Sequence, residues 1–170
     1  GLEDRAARCR DARAEVRGAM GRAAWPGGPA RLSAPFGGGD LGARLIQLLD
    51  LRFLSPDDPR FRSTLAAVAQ GLRRGSHMLR YATEDDFGLP ETAFNICTFC
   101  LIEALHRSGQ DEVARRPSEA MLEHRTQSGL LSEDTDFETG ELSGHFPQTY
   151  SLVGIINCAG QLSRSWRDRR

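Results

Sequence analysis

Hydrophobic and polar positions alternate with the spacing of α-helices along almost the whole chain. Three segments are apolar around most of the helical circumference and should be buried on nearly every side: 41–53, 91–106 and 148–162. Three other segments carry one apolar stripe or many charges and should lie outside them: 3–22, 59–73 and 111–125. Pro117 should kink or break the last of these helices, because proline lacks the backbone N–H of a helical residue.

The links between these helices differ in length. Those from inner to outer helices are short: Asp58 and Pro59 supply an N-cap carboxylate and a proline at the first helical position, and residues 108–110 form a brief turn. Those from outer to inner helices are long and recur at a spacing of roughly 50 residues, which is typical of a repeated helix pair. We therefore predict an all-α chain of three stacked hairpins, in a toroid or solenoid, whose long loops emerge on one face and carry function.

Composition narrows the class of protein. With 39% hydrophobic and 26% charged positions, the chain can bury one core, as one domain or part of one. Its net charge of −1 gives no concentrated basic surface, so we expect no nucleic-acid partner. No apolar run approaches the roughly 20 residues that a bilayer requires, so we expect no membrane span. The chain starts at Gly1 without an initiator Met or a signal peptide, which suggests that it is trimmed or incomplete.

The cysteines indicate a reducing compartment. Cys97, Cys100 and Cys158 lie inside apolar stretches, where a reduced thiol packs as a small hydrophobic group. We therefore expect a cytoplasmic protein. The Cys97-x-x-Cys100 pair has no second cysteine pair to complete a zinc site, so we do not expect these cysteines to bind zinc.

The long loop over residues 127–147 concentrates carboxylates at five positions: Glu133, Asp134, Asp136, Glu138 and Glu141. The alternation resembles a calcium loop, but Thr139 stands where an EF-hand has glycine and His145 where it has the bidentate glutamate. We therefore assign no metal ligand and expect no cofactor. A solvated acidic loop remains the simple alternative.

Ordered motifs surround this loop. They are Gly129-Leu-Leu-Ser-Glu-Asp134, Thr139-Gly-Glu-Leu142, Gly144-His-Phe-Pro-Gln-Thr-Tyr150 and Gly154-Ile-Ile-Asn157, preceded by Arg80-Tyr81, Asp85-Asp-Phe-Gly88, Ala93-Phe-Asn-Ile-Cys-Thr-Phe99 and, more weakly, Phe36-Gly-Gly38. Together they resemble the C-terminal catalytic segment of glycoside hydrolase family 15, which includes glucoamylases, glucodextranases and some bacterial trehalases. The resemblance covers nearly the whole chain. The sequence departs from the family pattern at His145, where the family usually has Asn, and at Cys100, where it usually has Trp.

The resemblance implies a fold and a chemistry. The fold is an (α/α)6 toroid, of which residues 1–170 are the C-terminal half of the catalytic domain, with the N-terminal half and a β-sandwich domain absent. The chemistry is hydrolysis of α-glucosidic bonds in an α-linked glucosaccharide with inversion, and Glu133 is the catalytic base. The acid belongs to the missing half, so this chain alone is expected to be inactive. Starch-like oligosaccharides, dextran and trehalose remain open as substrates.

The resemblance also implies substrate contacts. Arg80 resembles an arginine that binds sugar hydroxyls, Tyr81 is a residue of the same pocket, and Gln148 and Tyr150 are weaker candidates at the start of an inner helix. Arg80 has a simpler interpretation as a salt-bridging arginine near Glu84 or Asp85. The aromatic residues Phe87, Phe94 and Phe99 are interpreted as core.

Two rival hypotheses belong to other classes of protein. One is a catalytically inactive helical toroid that binds sugar or a protein partner. The other is an unrelated helical-repeat scaffold, in which Arg80 and Glu133 should lie on different faces.

Overall fold

The computed structural model describes residues 1–24, 41–86 and 88–163, so Phe87 and the motif at 36–38 lie outside the described residues. In chain order the elements are α1 (Leu2–Ala24), a 3₁₀ helix (Ala43–Leu48), α2 (Pro59–Leu72), β1 (Arg73–Arg74), β2 (His77–Met78), β3 (Thr92–Phe94), α3 (Asn95–Arg107), α4 (Asp111–Glu123), β4 (Asp134–Asp136), β5 (Leu142–Ser143) and α5 (Thr149–Leu162). The prediction of a mostly helical chain is confirmed, but short strands were not predicted.

Helix α3 occupies the centre of the described structure. It packs against α4, α5, the 3₁₀ helix and β2. Its buried apolar residues are Cys97, Phe99, Leu101, Ile102, Ala104 and Leu105. The inner position predicted for this segment is therefore confirmed, although the helix begins at Asn95 because the preceding three residues form β3.

The start of helix α2 follows the predicted capping chemistry. The Asp58 carboxylate accepts a hydrogen bond of 2.9 Å from the backbone N–H of Arg60, and Pro59 occupies the first turn. The same carboxylate pairs with the Arg60 guanidinium at 2.6 Å. The four residues of the apolar stripe are all buried: Phe61, Leu65, Val68 and Leu72.

The segment 41–53 does not form the long inner helix that its apolar pattern predicts. Only Ala43–Leu48 is helical, and it is a 3₁₀ helix. The backbone N–H groups of Phe53 and Leu54 both donate to the carbonyl of Leu48, which folds the chain back on itself and places Arg52 at a φ of 53°. Leu51 is left 70% exposed, so the segment is buried on one side only.

Pro117 does not break α4, so the break, one of the two predicted effects of this proline, is wrong. The helix continues from Asp111 to Glu123 and buries the proline ring. The carbonyl that loses its helical partner is that of Val113, a residue 45% exposed, so water can hydrate it.

The inner position predicted for the last helix is only half right. Ser151, Gly154 and Cys158 of α5 are buried toward the core. Its other face exposes Tyr150, Val153 and Ile156, which are 61%, 46% and 69% accessible. An apolar face of this kind is typical of a surface that packs against another element.

Helix α1 is more exposed than its apolar stripe predicts. Cys9 is exposed and Val16 is 57% accessible, whereas Met20 packs partly against the core. The Arg17 guanidinium lies 5.3 Å from the centre of the Phe53 ring and contributes to holding the helix in place. None of the helices in the described ranges is long and apolar enough to cross a membrane.

The acidic loop over residues 127–147 forms a β-hairpin. Strands β4 and β5 pair antiparallel, and β4 also pairs antiparallel with β3, with Ala93 opposite Thr135 and Phe94 opposite Asp134. This small sheet joins the hairpin to the N-terminal end of α3, so the acidic residues have a fixed position relative to the core.

Helix α5 approaches α3 so closely that a glycine is required at position 154. A Cβ atom at Gly154 would lie 2.9 Å from the Phe99 Cβ and even closer to its ring. We predict that Gly154→Ala lowers the free energy of unfolding by ~1–3 kcal/mol through overpacking. Gly160→Ala on the same helix meets no atom within 4 Å and should raise it by up to about 1 kcal/mol. Equal unfolding midpoints in urea for the two variants would contradict this packing.

Candidate functional site

The backbone of residues 131–133 is held by side chains from two helices. The Asn95 amide nitrogen and the Ser151 hydroxyl both donate to the Ser132 carbonyl, at 3.0 and 2.7 Å. The backbone N–H of Asn95 donates to the Glu133 carbonyl at 3.0 Å. Asn95 is fully buried and accepts a further hydrogen bond from the Thr135 hydroxyl at 2.9 Å. These contacts fix the point from which the Glu133 side chain leaves the backbone.

Asp136 has a structural part in the hairpin. Its Oδ1 accepts hydrogen bonds from the backbone N–H groups of Glu138 and Thr139 at 2.8 and 2.9 Å, which closes the turn. The same backbone donors lower the pKa of Asp136 below its ordinary value. Within the part of the chain that the structure describes, no group of three or more His, Cys, Asp or Glu side chains can hold a metal ion.

Arg80, Tyr81 and Glu133 line one cavity of about 230 Å³ at this edge of the sheet. Its remaining lining residues are Pro90, Thr92, Phe94 and Asp134. The scaffold hypothesis placed Arg80 and Glu133 on different faces, and the shared cavity contradicts it. A second cavity, of about 480 Å³, adjoins the first through Arg80 and Tyr81.

Arg80 lines the cavity, and its guanidinium has no ion-pair partner in the described part of the chain. Its backbone carbonyl accepts a hydrogen bond of 2.9 Å from Ala43, and its guanidinium carbon lies 5.9 Å from the centre of the Phe94 ring. Among the described residues, no carboxylate lies within ion-pairing distance of it, so the alternative interpretation, an ion pair with Glu84 or Asp85, is not supported. Asp85 instead accepts a hydrogen bond of 2.5 Å from the Tyr81 hydroxyl, which raises the pKa of Tyr81.

Glu133 is paired with His145. The imidazole Nδ1 lies 2.6 Å from the Glu133 Oε2, and the backbone N–H of His145 donates to the same oxygen at 3.3 Å. These two hydrogen bonds hold the pKa of Glu133 below its ordinary value, and the carboxylate in turn raises the pKa of His145. Glu133 is therefore an anion at neutral pH.

Asp134 has the opposite electrostatic character. Burial, and then the charge of Glu133, raise its pKa to about 6, and Arg80 opposes that shift. The cavity thus contains neighbouring carboxyl groups of different proton affinity. Such a pair can hold one fixed charge and one exchangeable proton near neutral pH.

The three cysteines of α3 and α5 are not candidate nucleophiles. Burial raises the pKa of Cys97 and Cys158 to about 12, and that of Cys100 to about 11. All three are free thiols, as predicted. A thiolate, the reactive form, is therefore absent near neutral pH.

Comparison with known proteins shows which class of enzyme the chain resembles. No protein-family model matches the chain. The chain is 34% identical over 133 residues to a protein named trehalase from Mycobacterium tuberculosis and 34% identical over 136 residues to one from Thermoplasma acidophilum. The matches take in 76% and 79% of this chain but 20% and 23% of those proteins, so the chain spans about a fifth of their length.

Solved structures show the same fold. A glycosidase structure superposes on 92% of this chain and 44% of its own, with a TM-score of 0.77 and 18% identity. A glycosidase variant in complex with glucose superposes over the same shares with a TM-score of 0.78. The chain is related to glycoside hydrolases.

For this relative of the glycoside hydrolases, the sequence predicted only some of the residues that line the Arg80–Glu133 cavity. Gln148 and Tyr150 do not line the Arg80–Glu133 cavity: the Gln148 backbone N–H donates to Leu131 at 2.9 Å, and Tyr150 is on the exposed face of α5. The sequence predicted Phe94 to be a core residue and included Asp134 in the acidic loop without a part in the site. Polar side chains alternate along β4, and this alternation could have indicated that Asp134 and Thr135 point in opposite directions. A strand of only three residues was not predicted from the sequence.

We predict that the Asp134 carboxyl of this glycosidase relative titrates near pH 6. Glu133→Gln removes the neighbouring negative charge, so it should lower the pKa of Asp134 while leaving it above its ordinary value, because the burial remains. Carboxyl-detected NMR titration measures both values. Asp136, in the same strand but stabilised as an anion by backbone N–H donors, is the internal control and should titrate below its ordinary value in both proteins. An Asp134 that titrates like Asp136 would contradict the assignment.

Proposed function

We propose that this chain supplies the catalytic base of an inverting α-glucoside hydrolase of the family 15 type, and that Glu133 is that base. One observation carries the proposal: an ionised glutamate shares a cavity with a guanidinium that has no ion-pair partner among the described residues. A carboxylate that accepts a proton and a fork of N–H donors that binds hydroxyl groups are the two functions that such a site requires. The 34% identity to proteins named trehalase agrees with this class.

In the proposed reaction, one water molecule attacks the anomeric carbon while the glycosidic C–O bond breaks. Glu133 takes a proton from the attacking water, whose oxygen forms the new C–O bond. The leaving oxygen receives a proton from a carboxylic acid on the opposite side of the sugar. In inverting enzymes the two carboxyl groups lie roughly 6.5–9.5 Å apart, which leaves room for the water.

The proposed acid lies in a preceding half of the same protein. The described hairpins then form part of an (α/α)6 toroid, of which residues 1–170 are the C-terminal half. The exposed apolar face of α5, with Val153 and Ile156, supports this arrangement, because it is suited to packing against a further helix.

The proposed substrate is an α-linked glucosaccharide, and α,α-trehalose is the first to test. The relatives named trehalase motivate this choice. We propose that Arg80 binds hydroxyl groups of the glucosyl unit, with its guanidinium braced on the Phe94 ring. Tyr81 is anchored through Asp85 and bounds the same space.

We predict that the protein carrying this chain converts trehalose to equal initial amounts of α- and β-glucose. Inversion at the attacked carbon gives the β-anomer, while the departing unit keeps its α-configuration. Proton NMR of the anomeric signals, recorded faster than mutarotation, measures the ratio. Two equivalents of α-glucose would indicate retention and contradict Glu133 as a base.

Glu133→Gln should lower kcat by ~10²–10⁴, because a positioned general base contributes that much, while KM changes little. Glu141→Gln is the matched control: Glu141 belongs to the same acidic loop but is exposed and outside the cavity. The control should retain the turnover of the unaltered protein. Equal turnover in the Glu133→Gln variant would rule out the assignment.

A further inference from the structure

Glu133 and His145, twelve positions apart in the sequence, are joined by three hydrogen bonds. Besides the Nδ1 and backbone N–H contacts of His145 to the Glu133 Oε2, the backbone N–H of Glu133 donates to the His145 carbonyl at 2.8 Å. Gly144, between β5 and His145, has a φ of 73°, and a Cβ there would lie 3.0 Å from the Glu133 Cβ and 3.1 Å from Oε2. The glycine therefore permits the close approach of the two backbones.

The contacts are not shared equally by the two carboxylate oxygens. Both His145 donors reach Oε2, and no described residue donates a hydrogen bond to Oε1. A carboxylate held through one oxygen has its orientation fixed and its other oxygen available to accept a proton. The imidazole itself stands outside, with 85% of its side chain exposed, and does not line the Arg80–Glu133 cavity.

We propose that His145 is a positioning residue for Glu133: it holds Oε2 through an imidazolium and a backbone N–H, and thereby presents Oε1, ionised, to the attacking water. The inference rests on the function proposed above. The orientation and the charge of the base then depend on a residue of the loop after β5. That residue does not line the cavity.

The pH dependence follows from the charges that surround Glu133. They are His145 on the loop after β5, Arg80 after β2, and Asp134 on β4. His145 and Arg80 both lower the pKa of Glu133, whereas Asp134 is protonated below about pH 6 and then carries no charge. The only charged group facing His145 among the described residues is Glu133, which raises the pKa of the imidazole. As pH falls, His145 gains its proton before Glu133 does, so the ion pair extends the active range toward acid.

The test compares three variants in the protein that carries this chain. His145→Ala removes both the hydrogen bond and the charge of the side chain. His145→Gln can donate a hydrogen bond but carries no charge. His106→Gln is the matched control, because His106 forms a similar pair with Asp111, 2.8 Å from its Nδ1, at the turn between α3 and α4. The measurements are kcat and KM for trehalose from pH 4 to pH 8, each variant first checked by thermal unfolding.

His145→Ala should lower kcat by roughly 10- to 100-fold, since small displacements of a catalytic group cost this much, with KM nearly unchanged. The acid limb of its profile should move to higher pH. His145→Gln should recover most of kcat but keep the displaced acid limb, and His106→Gln should resemble the unaltered protein in both. An acid limb that stays in place in both His145 variants would overturn the proposal, even if kcat falls.

A second measurement separates this proposal from the function on which it rests. In NMR titrations of the imidazole, Glu133→Gln should lower the pKa of His145, because the carboxylate that stabilises the imidazolium is removed. An unchanged pKa of His145 would overturn the pairing whether or not the protein hydrolyses sugars. If the unaltered protein releases no glucose from α-glucosides while the His145 titration responds to Glu133, then the proposed function fails and the pairing stands.

Discussion

The buried amide of Asn95 is the constraint on which the site depends. Asn95 begins α3, and its side chain bridges the Ser132 carbonyl and the Thr135 hydroxyl, while its backbone N–H binds the Glu133 carbonyl. A buried amide is stable only when its donors and acceptor are satisfied, so the loop before β4 has to adopt one path. That path aims residue 133 at the cavity. The acidic hairpin is thus an extension of the helical core and not a solvated loop.

Two adjacent carboxyl groups acquire different properties because they have different surroundings. Glu133 has hydrogen-bond donors from His145, and these stabilise its charged form. Asp134 is half buried beside that charge, and no described residue compensates it with a hydrogen bond, so its neutral form is favoured. The difference follows from the antiparallel pairing of β4 with β3, which turns Asp134 toward the space next to Phe94. Glu133 therefore holds a fixed negative charge, and the next residue, Asp134, holds an exchangeable proton.

Periodicity predicted the helices well where one side of each helix meets the core. The stripe of α2 and its Asp58 cap are local features, and they were correctly predicted. The prediction for the segment 41–53 was wrong. Its apolar residues pack into the core from a 3₁₀ helix and the turn that follows it, and hydrophobic spacing does not distinguish these from an α-helix. The shared cavity of Arg80 and Glu133 agreed with the resemblance to a known family. The part of Asn95 and the His145 pairing depend on contacts between distant segments, which one sequence does not encode locally.

The central claim is that the Arg80–Glu133 cavity receives the glucosyl unit, with the base carboxylate at its reacting end. The most direct measurement is a crystal structure of the protein that carries this chain in complex with glucose. We expect the sugar ring to lie in this cavity, with the Arg80 guanidinium on its hydroxyl groups and the Glu133 Oε1 facing the anomeric carbon. Glucose bound at another surface, or a Glu133 side chain turned into bulk solvent in the complex, would contradict the claim.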